Sequence, residues 1–267
     1  MLLFAGFLKK KVVNHLHGFD FFLFYERSGI LKPWLNKAYQ TVSTSIVLTK
    51  SMVKQFDHFN EMNKVIVPNF YPDSFDEFEF IGHDDIAITF FSNIMKSKGI
   101  LEFLEACRII HGKEKDVRFI VGGTYMGDKY KSKKEIERLV QSFLKENPTM
   151  KVEFKGYVHS IDRMKLLNDS SIFVLPSYSE GFPLTILEAM RSGNAIITTN
   201  IDSLPEIIGL DNGILVEPRN AISLADAILR YIEDKDLLEE TRLKNINDAK
   251  MKYSETKYIK SVRAIIG

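Results

Sequence analysis

The clearest structural pattern in this chain is LPSYSEGFPLTILEAMRSG, residues 175–193. The apolar residues 172–175 that lead into it are typical of a short buried parallel strand. Pro183 suits the first position of a helix, where its missing N–H costs nothing, and Gly193 suits the helix end. The segment therefore predicts a strand, a tight loop and a helix in immediate succession.

The predicted loop has the features of a phosphate site. Backbone N–H groups from about Gly181 to Thr185 would point to one spot, and the helix dipole would favour a negative charge there. Glu180 and Glu188, eight positions apart, lie on either side of that spot. Carboxylates suit vicinal hydroxyls, as on ribose or a sugar. A phosphate cradle between two hydroxyl-binding carboxylates indicates a nucleotide-sugar site.

From Asp85 onward the chain alternates between strand and helix patterns. The predicted strands cover 85–91, 117–122, 151–155, 171–176, 195–199 and 213–216. The predicted helices cover about 99–111, 131–146, 161–168, 183–192 and 221–234, with a short turn near 204–208 and two more helices over 235–250 and 254–266. This alternation favours an α/β fold with a doubly wound, Rossmann-like parallel sheet. Ligands bind beyond the carboxyl ends of such strands, where the Glu180 loop lies.

Composition excludes several classes of protein. The 267 residues carry a formal net charge of +1, which gives no case for nucleic acid as a partner. One cysteine, Cys107, excludes an internal disulfide and fits a reducing compartment; its place in a helical apolar pattern predicts core packing. No run approaches the ~20 apolar residues of a membrane-spanning helix. A cytoplasmic location is the expectation.

The segment PSYSEGFPLTILEAM, followed by NAIITTNIDSLPEII and NGILVEP, resembles the E-x7-E region of retaining glycosyltransferases of family four, the glycosyl transferases group 1. The resemblance implies the GT-B fold, in which two Rossmann-like domains face each other across the donor site. It covers nearly the whole chain, with a shortened N-terminal domain. The implied division is a partial acceptor-side domain (1–71), a linker (72–84), a nucleotide-sugar-binding domain (85–252) and a C-terminal helix that packs back on the N-terminal part (253–267).

The same resemblance implies the site residues. Glu180, His17 and Lys98 would act at the transferring sugar and the leaving diphosphate. The residues implied to bind the nucleotide sugar are Asn93, Lys98, Gly122, Tyr157, Gly181, Phe182, Leu184, Thr185 and Glu188. Within this set, Glu188 would bind the ribose hydroxyls and Glu180 the hydroxyls of the donor sugar.

One element departs from the family pattern. FFSNIMKSKG, residues 90–99, is similar to the G-R-x(4,5)-K-G element whose arginine and lysine grip the diphosphate. Lys98 and Gly99 match, whereas Ser92 and Asn93 replace the glycine and arginine. A neutral amide can donate to a phosphate oxygen but adds no charge, so donor binding could lose ~1–3 kcal/mol.

Three further positions carry open alternatives. Gly122 resembles a turn that floors the nucleotide pocket, and Tyr157 follows an element whose backbone faces the nucleobase, although its ring could simply pack. His17, with His15 as runner-up, resembles a histidine that contacts the donor sugar from the N-terminal domain; a surface role is the alternative. Two histidines without a third ligand are too few for a metal, so none is expected.

The expected activity is therefore metal-independent, retaining transfer of a sugar to a glycan or lipid-linked acceptor in surface polysaccharide or lipopolysaccharide synthesis. A UDP-sugar is the expected donor and a GDP-sugar the alternative, with no other cofactor. The competing hypotheses are a non-catalytic donor-binding fragment that needs a separate N-terminal half, and a sugar-nucleotide epimerase. A basic cluster at Lys129, Lys131, Lys133 and Lys134 would allow weak peripheral contact with the inner face of a membrane.

Overall fold

The computed structural model describes residues 11–77, 85–113, 116–209 and 211–267. Within them the chain forms two parallel sheets, one of three strands and one of six. Two parts of the expected domain division, residues 1–10 of the N-terminal domain and 78–84 of the linker, lie outside the described residues.

The two sheets use nine strands in chain order. They are β1 (Val12–Leu16), β2 (Val42–Val47), β3 (Asn63–Ile66), β4 (Ile86–Phe91), β5 (Val117–Gly122), β6 (Val152–Gly156), β7 (Ile172–Leu175), β8 (Ala195–Thr199) and β9 (Gly213–Val216). The α-helices are α1 (Phe21–Arg27), α2 (Lys32–Tyr39), α3 (Ile100–His111), α4 (Lys133–Glu146), α5 (Ser160–Asn168), α6 (Leu184–Arg191), α7 (Leu204–Ile207), α8 (Ala221–Glu233), α9 (Lys235–Tyr253) and α10 (Glu255–Ile266).

The larger sheet has the order β6-β5-β4-β7-β8-β9, and all its strands are parallel. Every residue of β4, β7 and β8 is buried, because helices cover both faces of the sheet. Strand order reverses between β4 and β7, whose registered residues include Ile88 and Ile172. The expected doubly wound, Rossmann-like sheet is confirmed, and its switch point lies between β4 and β7.

Helix α3 illustrates how the sequence pattern produces this core. Its apolar residues recur every three or four positions, so Phe103, Cys107 and Ile110 share one fully buried face. Burial raises the pKa of the Cys107 thiol well above its usual value. The cysteine packs in the core, as predicted.

The smaller sheet comes first in the chain and has the order β1-β2-β3. It is called the first sheet below, and the larger sheet is called the second. All five residues of β1 are partly buried, and among the described residues no strand pairs with its second edge. The helices between β1 and β2, α1 and α2, were not expected from the sequence. Pro33 fits α2 because it lies in the first turn.

Several contacts join the two sheets. The Tyr71 N–H donates to the carbonyl of Tyr253 at the end of α9 (3.0 Å). Asp76, in a short 3-10 helix over Asp73–Glu77, forms an ion pair with Arg191 of α6 (Oδ1 to Nε, 2.5 Å). On α10, the Tyr258 ring lies 4.5 Å from Phe70, centroid to centroid. Helices that follow the second sheet therefore pack against residues that belong with the first.

Candidate functional site

The loops that follow β4 and β7, on either side of the switch point, bring two predicted residues together. Lys98 Nζ lies 2.6 Å from Glu180 Oε1, and the Ser177 hydroxyl donates to the same oxygen at 2.6 Å. The Glu180 side chain is 6% exposed. A lysine and a hydroxyl thus hold one oxygen of this carboxylate in place.

Backbone geometry fixes Lys98 in this position. Gly99 has φ 78°, and a Cβ there would lie 2.2 Å from the Pro176 carbonyl oxygen, so a larger residue would separate the two loops. The Tyr178 N–H also donates to the Ser97 carbonyl (2.8 Å). The match of Gly99 to the family element therefore has a steric reason.

A third loop, after β8, holds the Glu180 loop from the far side. Asp202 Oδ2 accepts from the Glu180 N–H (2.9 Å) and from the Ser179 hydroxyl (2.9 Å), and the Ser203 hydroxyl donates to the Gly181 carbonyl. Asp202 has φ 47°, a conformation that aspartate tolerates better than most side chains. No local sequence pattern indicates these roles of Asp202 and Ser203.

The same loop touches the first sheet. A Cβ on Gly181 would lie 2.6 Å from the His17 carbonyl oxygen, so the two backbones are in direct contact. The His17 side chain is exposed, and its ring lies 4.1 Å from that of His15. Burial, and then the neighbouring His17, lower the pKa of His15 to about 4, so His15 is neutral at pH 7. His17 is thus beside the Glu180 loop.

The opening of α6 leaves donors free of helical partners. The helix begins at Leu184, and the N–H groups of Leu184 and Thr185 therefore have no acceptor within it. Phe182 is buried, 6.0 Å from the Tyr253 ring, and its carbonyl accepts from Asn69 Nδ2 (3.3 Å). Phe182 thus anchors the helix start on both sides, and the free N–H groups of Leu184 and Thr185 are suited to bind an anion.

Glu188, one turn into α6, is 2% exposed. Its Oε1 lies 2.9 Å from Nη2 of Arg163 on α5, and its Oε2 has no hydrogen-bond partner among the described residues. Burial raises the pKa of Glu188 to about 7, against the field of Arg163, which lowers it. A buried carboxylate oxygen without a donor is a ready acceptor for a ligand hydroxyl. Sequence reasoning missed Arg163, because no local pattern marks this pairing.

The remaining predicted residues differ in burial: Gly122 is buried, whereas Asn93 and Tyr157 are exposed. A Cβ on Gly122 would lie 2.5 Å from the Phe91 ring, and Arg163 Cζ lies 6.0 Å from the centre of that ring. Asn93 is exposed. Tyr157 is 70% exposed, beside a groove of about 310 Å³ that Val158 also lines. Gly122 thus packs against the same ring that neighbours Arg163, the partner of Glu188, whereas the side chains of Asn93 and Tyr157 are exposed to solvent.

The described residues show neither a metal cluster nor a membrane-spanning helix. They contain no group of three or more histidine, cysteine, aspartate or glutamate side chains placed to hold a metal ion. None of their helices combines the length and the apolar character needed to cross a membrane.

Comparison with known proteins gives one family and several relatives. The model of the family described as glycosyl transferases group 1 matches residues 73–250. The capsular polysaccharide biosynthesis glycosyltransferase CapM of Staphylococcus aureus is 28% identical over 158 residues, which are 59% of this chain and 39% of CapM. The N,N'-diacetylbacillosaminyl-diphospho-undecaprenol alpha-1,3-N-acetylgalactosaminyltransferase of Campylobacter jejuni is 32% identical over 148 residues, 52% of this chain and 34% of that protein.

A solved structure extends the likeness to the first sheet. The crystal structure of HepE from Anabaena in complex with UDP superposes with a TM-score of 0.81 at 16% identity, covering 99% of this chain and 74% of HepE. The fold that the described residues form is therefore similar to that of HepE. By contrast, the matched segments cover only 39% and 34% of the length of the two curated relatives.

Proposed function

Because this chain belongs to the glycosyl transferases group 1 and has a GT-B fold, we propose that it transfers a sugar from a nucleotide sugar to a glycan or lipid-linked acceptor. One observation carries the proposal. The loops on the two sides of the switch point join Lys98 to Glu180 at 2.6 Å, next to the start of a helix that also bears Glu188.

The donor is proposed to lie across this edge of the sheet. Its diphosphate accepts hydrogen bonds from the free N–H groups of Leu184 and Thr185, and Lys98 supplies the positive charge. Glu188 binds the ribose hydroxyls through its unpartnered oxygen. The nucleobase lies toward Gly122 and Tyr157, with Asn93 near the phosphates.

The transferring sugar is proposed to lie between the two sheets. Glu180 binds its hydroxyls with the oxygen that Lys98 and Ser177 leave available, and His17 contacts it from the first sheet. The bond from the anomeric carbon to the diphosphate oxygen breaks as the bond to the acceptor oxygen forms on the same face. The acceptor proton passes to the departing phosphate oxygen, so the configuration is retained and no protein base or metal is needed.

A UDP-sugar is the proposed donor, and surface polysaccharide synthesis the proposed context. HepE was crystallised with UDP, CapM is named for capsular polysaccharide biosynthesis, and the Campylobacter relative is named for transfer to a diphospho-undecaprenol acceptor. These names support the proposal by similarity. A screen of UDP-sugars for transfer would identify the sugar.

Calorimetric titration with UDP and then GDP tests the donor site. We expect UDP to bind and GDP to bind at least tenfold more weakly, with no change after EDTA treatment. Absence of binding by either nucleotide, in protein whose circular dichroism shows it to be folded, would contradict the proposal. Incubation with a UDP-α-sugar and an acceptor, followed by NMR of the product linkage, tests retention: a β linkage would contradict it.

A second candidate function is a donor-binding module that acts with a separate partner. The observation that favours it is β1, whose partly buried residues lack a strand partner on one edge among the described residues. Such an edge can accept another strand. Sugar transfer by the purified, monomeric chain would contradict this alternative, whereas UDP binding without transfer would favour it.

A further inference from the structure

We propose that Arg163 is a positioning residue for Glu188: its guanidinium favours the ionised form of the carboxylate and orients it, so that the pair together recognises the ribose diol of the donor. This inference rests on the proposed function, since it requires a nucleotide sugar at Glu188. It assigns a role to a residue outside every motif that the sequence indicates.

The pair is built into the packing of two helices. Arg163 Nη2 on α5 lies 2.9 Å from Glu188 Oε1 on α6, and the two side chains are 25% and 3% exposed. The Phe91 ring lies beneath the guanidinium, 6.0 Å from Cζ to ring centre. The Phe91 ring restricts the position of the guanidinium. The guanidinium in turn orients the Glu188 carboxylate that it contacts.

Two unmatched atoms of the pair point to the class of ligand. Among the described residues, neither Glu188 Oε2 nor Arg163 Nε has a hydrogen-bond partner, although both atoms are buried. One is an acceptor and the other a donor. A vicinal diol satisfies both at once, because one hydroxyl donates to the carboxylate while a hydroxyl oxygen accepts from the guanidinium. A 2′-deoxyribose has only one hydroxyl for the two atoms, where the diol has one for each.

Of the three arginines near α6, Arg163 is the one that pairs with Glu188. On the same helix, Arg191 pairs with Asp76, and on α9 Arg242 pairs with Glu239 and donates to the Gly193 carbonyl. Burial raises the pKa of Glu188, and Arg163 is the charged neighbour that lowers it. Removing the Arg163 charge therefore raises this pKa further.

Arg163→Met, which keeps an unbranched side chain but removes the guanidinium and its charge, tests the role. Arg163→Lys keeps the charge, and Arg108→Met repeats the substitution at an exposed arginine of α3 that pairs with Glu105. The probe is UDP-glucose, titrated calorimetrically from about pH 5.5 to about pH 8.5, because its diphosphate diester does not titrate there.

In wild type we expect affinity to fall below about pH 7, approaching tenfold per unit as Glu188 becomes protonated. In Arg163→Met the affinity should begin to fall about one pH unit higher than in wild type. The pH dependence of affinity in Arg163→Lys and Arg108→Met should be close to that of wild type. Arg163→Met should also narrow the preference for UDP-glucose over its 2′-deoxy analogue. A loss of packing alone would weaken binding equally at every pH and for both ligands.

A readout without ligand separates this inference from the proposed function. The ¹³C resonance of the Glu188 carboxyl, assigned by its loss in Glu188→Gln, should titrate near pH 7 in wild type and higher in Arg163→Met. Normal UDP-glucose binding with an unmoved resonance and an unmoved pH profile would overturn the role of Arg163 and leave the proposed function standing. Failure of wild type to bind UDP-glucose at every pH would contradict both.

Discussion

The burial of Glu188 makes the stability of the folded chain depend on pH. Its carboxylate is nearly fully buried beside Arg163, and burial raises its pKa from the ordinary 4.5 to about 7, so the folded chain holds a proton there up to a higher pH. The unfolded chain releases that proton at lower pH. Between pH 4.5 and 7 the folded state therefore binds more protons, and the stability contributed at Glu188 falls as pH rises through this window.

Glu188→Gln should remove this pH-dependent cost. We expect the free energy of unfolding of the variant, relative to wild type, to rise by about 2 kcal/mol between about pH 5 and about pH 8. Urea unfolding at the two pH values measures it, and His15, which is the same in both proteins, cancels from the difference. Glu146→Gln, at an exposed position on α4, should show no such rise. If the two proteins differed in unfolding free energy by the same amount at both pH values, the raised pKa of Glu188 would be contradicted.

The two glutamates should separate in function. Glu188→Ala loses the proposed charged acceptor of the ribose and should weaken UDP binding by tenfold or more. Glu180→Ala should bind UDP nearly as wild type does, since its proposed contacts are with the sugar, and should lose transfer. Calorimetry with UDP and a turnover assay measure the two effects. Equal UDP affinity in Glu188→Ala and wild type would disprove the ribose assignment.

At the residue scale, the sequence predicted what a local pattern encodes. Glu180 and Glu188 are visible from their spacing around one loop, and Lys98 from its position before a glycine. Arg163 and Asp202 were missed because they act across elements, through an ion pair between two helices and a clasp between two loops. Such pairings depend on packing, which spacing along the chain does not encode.

At the scale of elements, the site depends on loops that approach more closely than side chains allow. Gly99→Ala would place a methyl group 2.2 Å from the Pro176 carbonyl in a left-handed backbone conformation. We expect it to lower the free energy of unfolding by more than about 2 kcal/mol and to weaken UDP binding, because Lys98 moves with residue 99.

Gly112, at the other end of α3, is the matched control. It has helical φ (−63°), and an added Cβ would meet its nearest atoms at 3.5 Å, an ordinary contact. Gly112→Ala should therefore be neutral or stabilise by up to about 1 kcal/mol. Urea unfolding compares the two variants, and equal destabilisation by both would contradict the steric role of Gly99.

Helices α1 and α2 mark the limit of prediction at this scale. In FFLFYER the buried side chains, Phe21 and Tyr25, are four apart, but Phe22, Leu23 and Phe24 between them are also apolar and partly exposed. Apolar residues on every side hide the helical period. The strands of the second sheet were predicted well, because buried parallel strands give short apolar runs between clear helices.

At the scale of the whole molecule, an ion pair ties the segment after the first sheet to the second. Arg191 is 5% exposed at its side chain and faces Asp76, which also accepts from the Tyr71 hydroxyl (3.1 Å). Asp76→Ala leaves a buried guanidinium without its partner and should cost about 3 kcal/mol in unfolding free energy. Asp73→Ala, at an exposed position of the same 3-10 helix, should cost little. Equal costs would disprove the role of the pair.

The relative placement of the two sheets was the least predictable feature. Strand and helix periods say nothing of how α10 reaches Phe70, or of how Gly181 meets His17. Only the resemblance to a family implied that the sheets face each other. The physical reason is that such contacts join residues far apart in the chain, through surfaces that show no periodic pattern.

The backbone contact between Gly181 and His17 has a kinetic consequence. If the donor binds between the two sheets, as proposed, it must enter while that contact is open, and the spent nucleoside diphosphate must leave by the same route. The frequency of opening is then an upper limit on turnover. Solvent viscosity, which slows the relative motion of large bodies but not the making of bonds, should therefore slow the enzyme whenever that limit is reached.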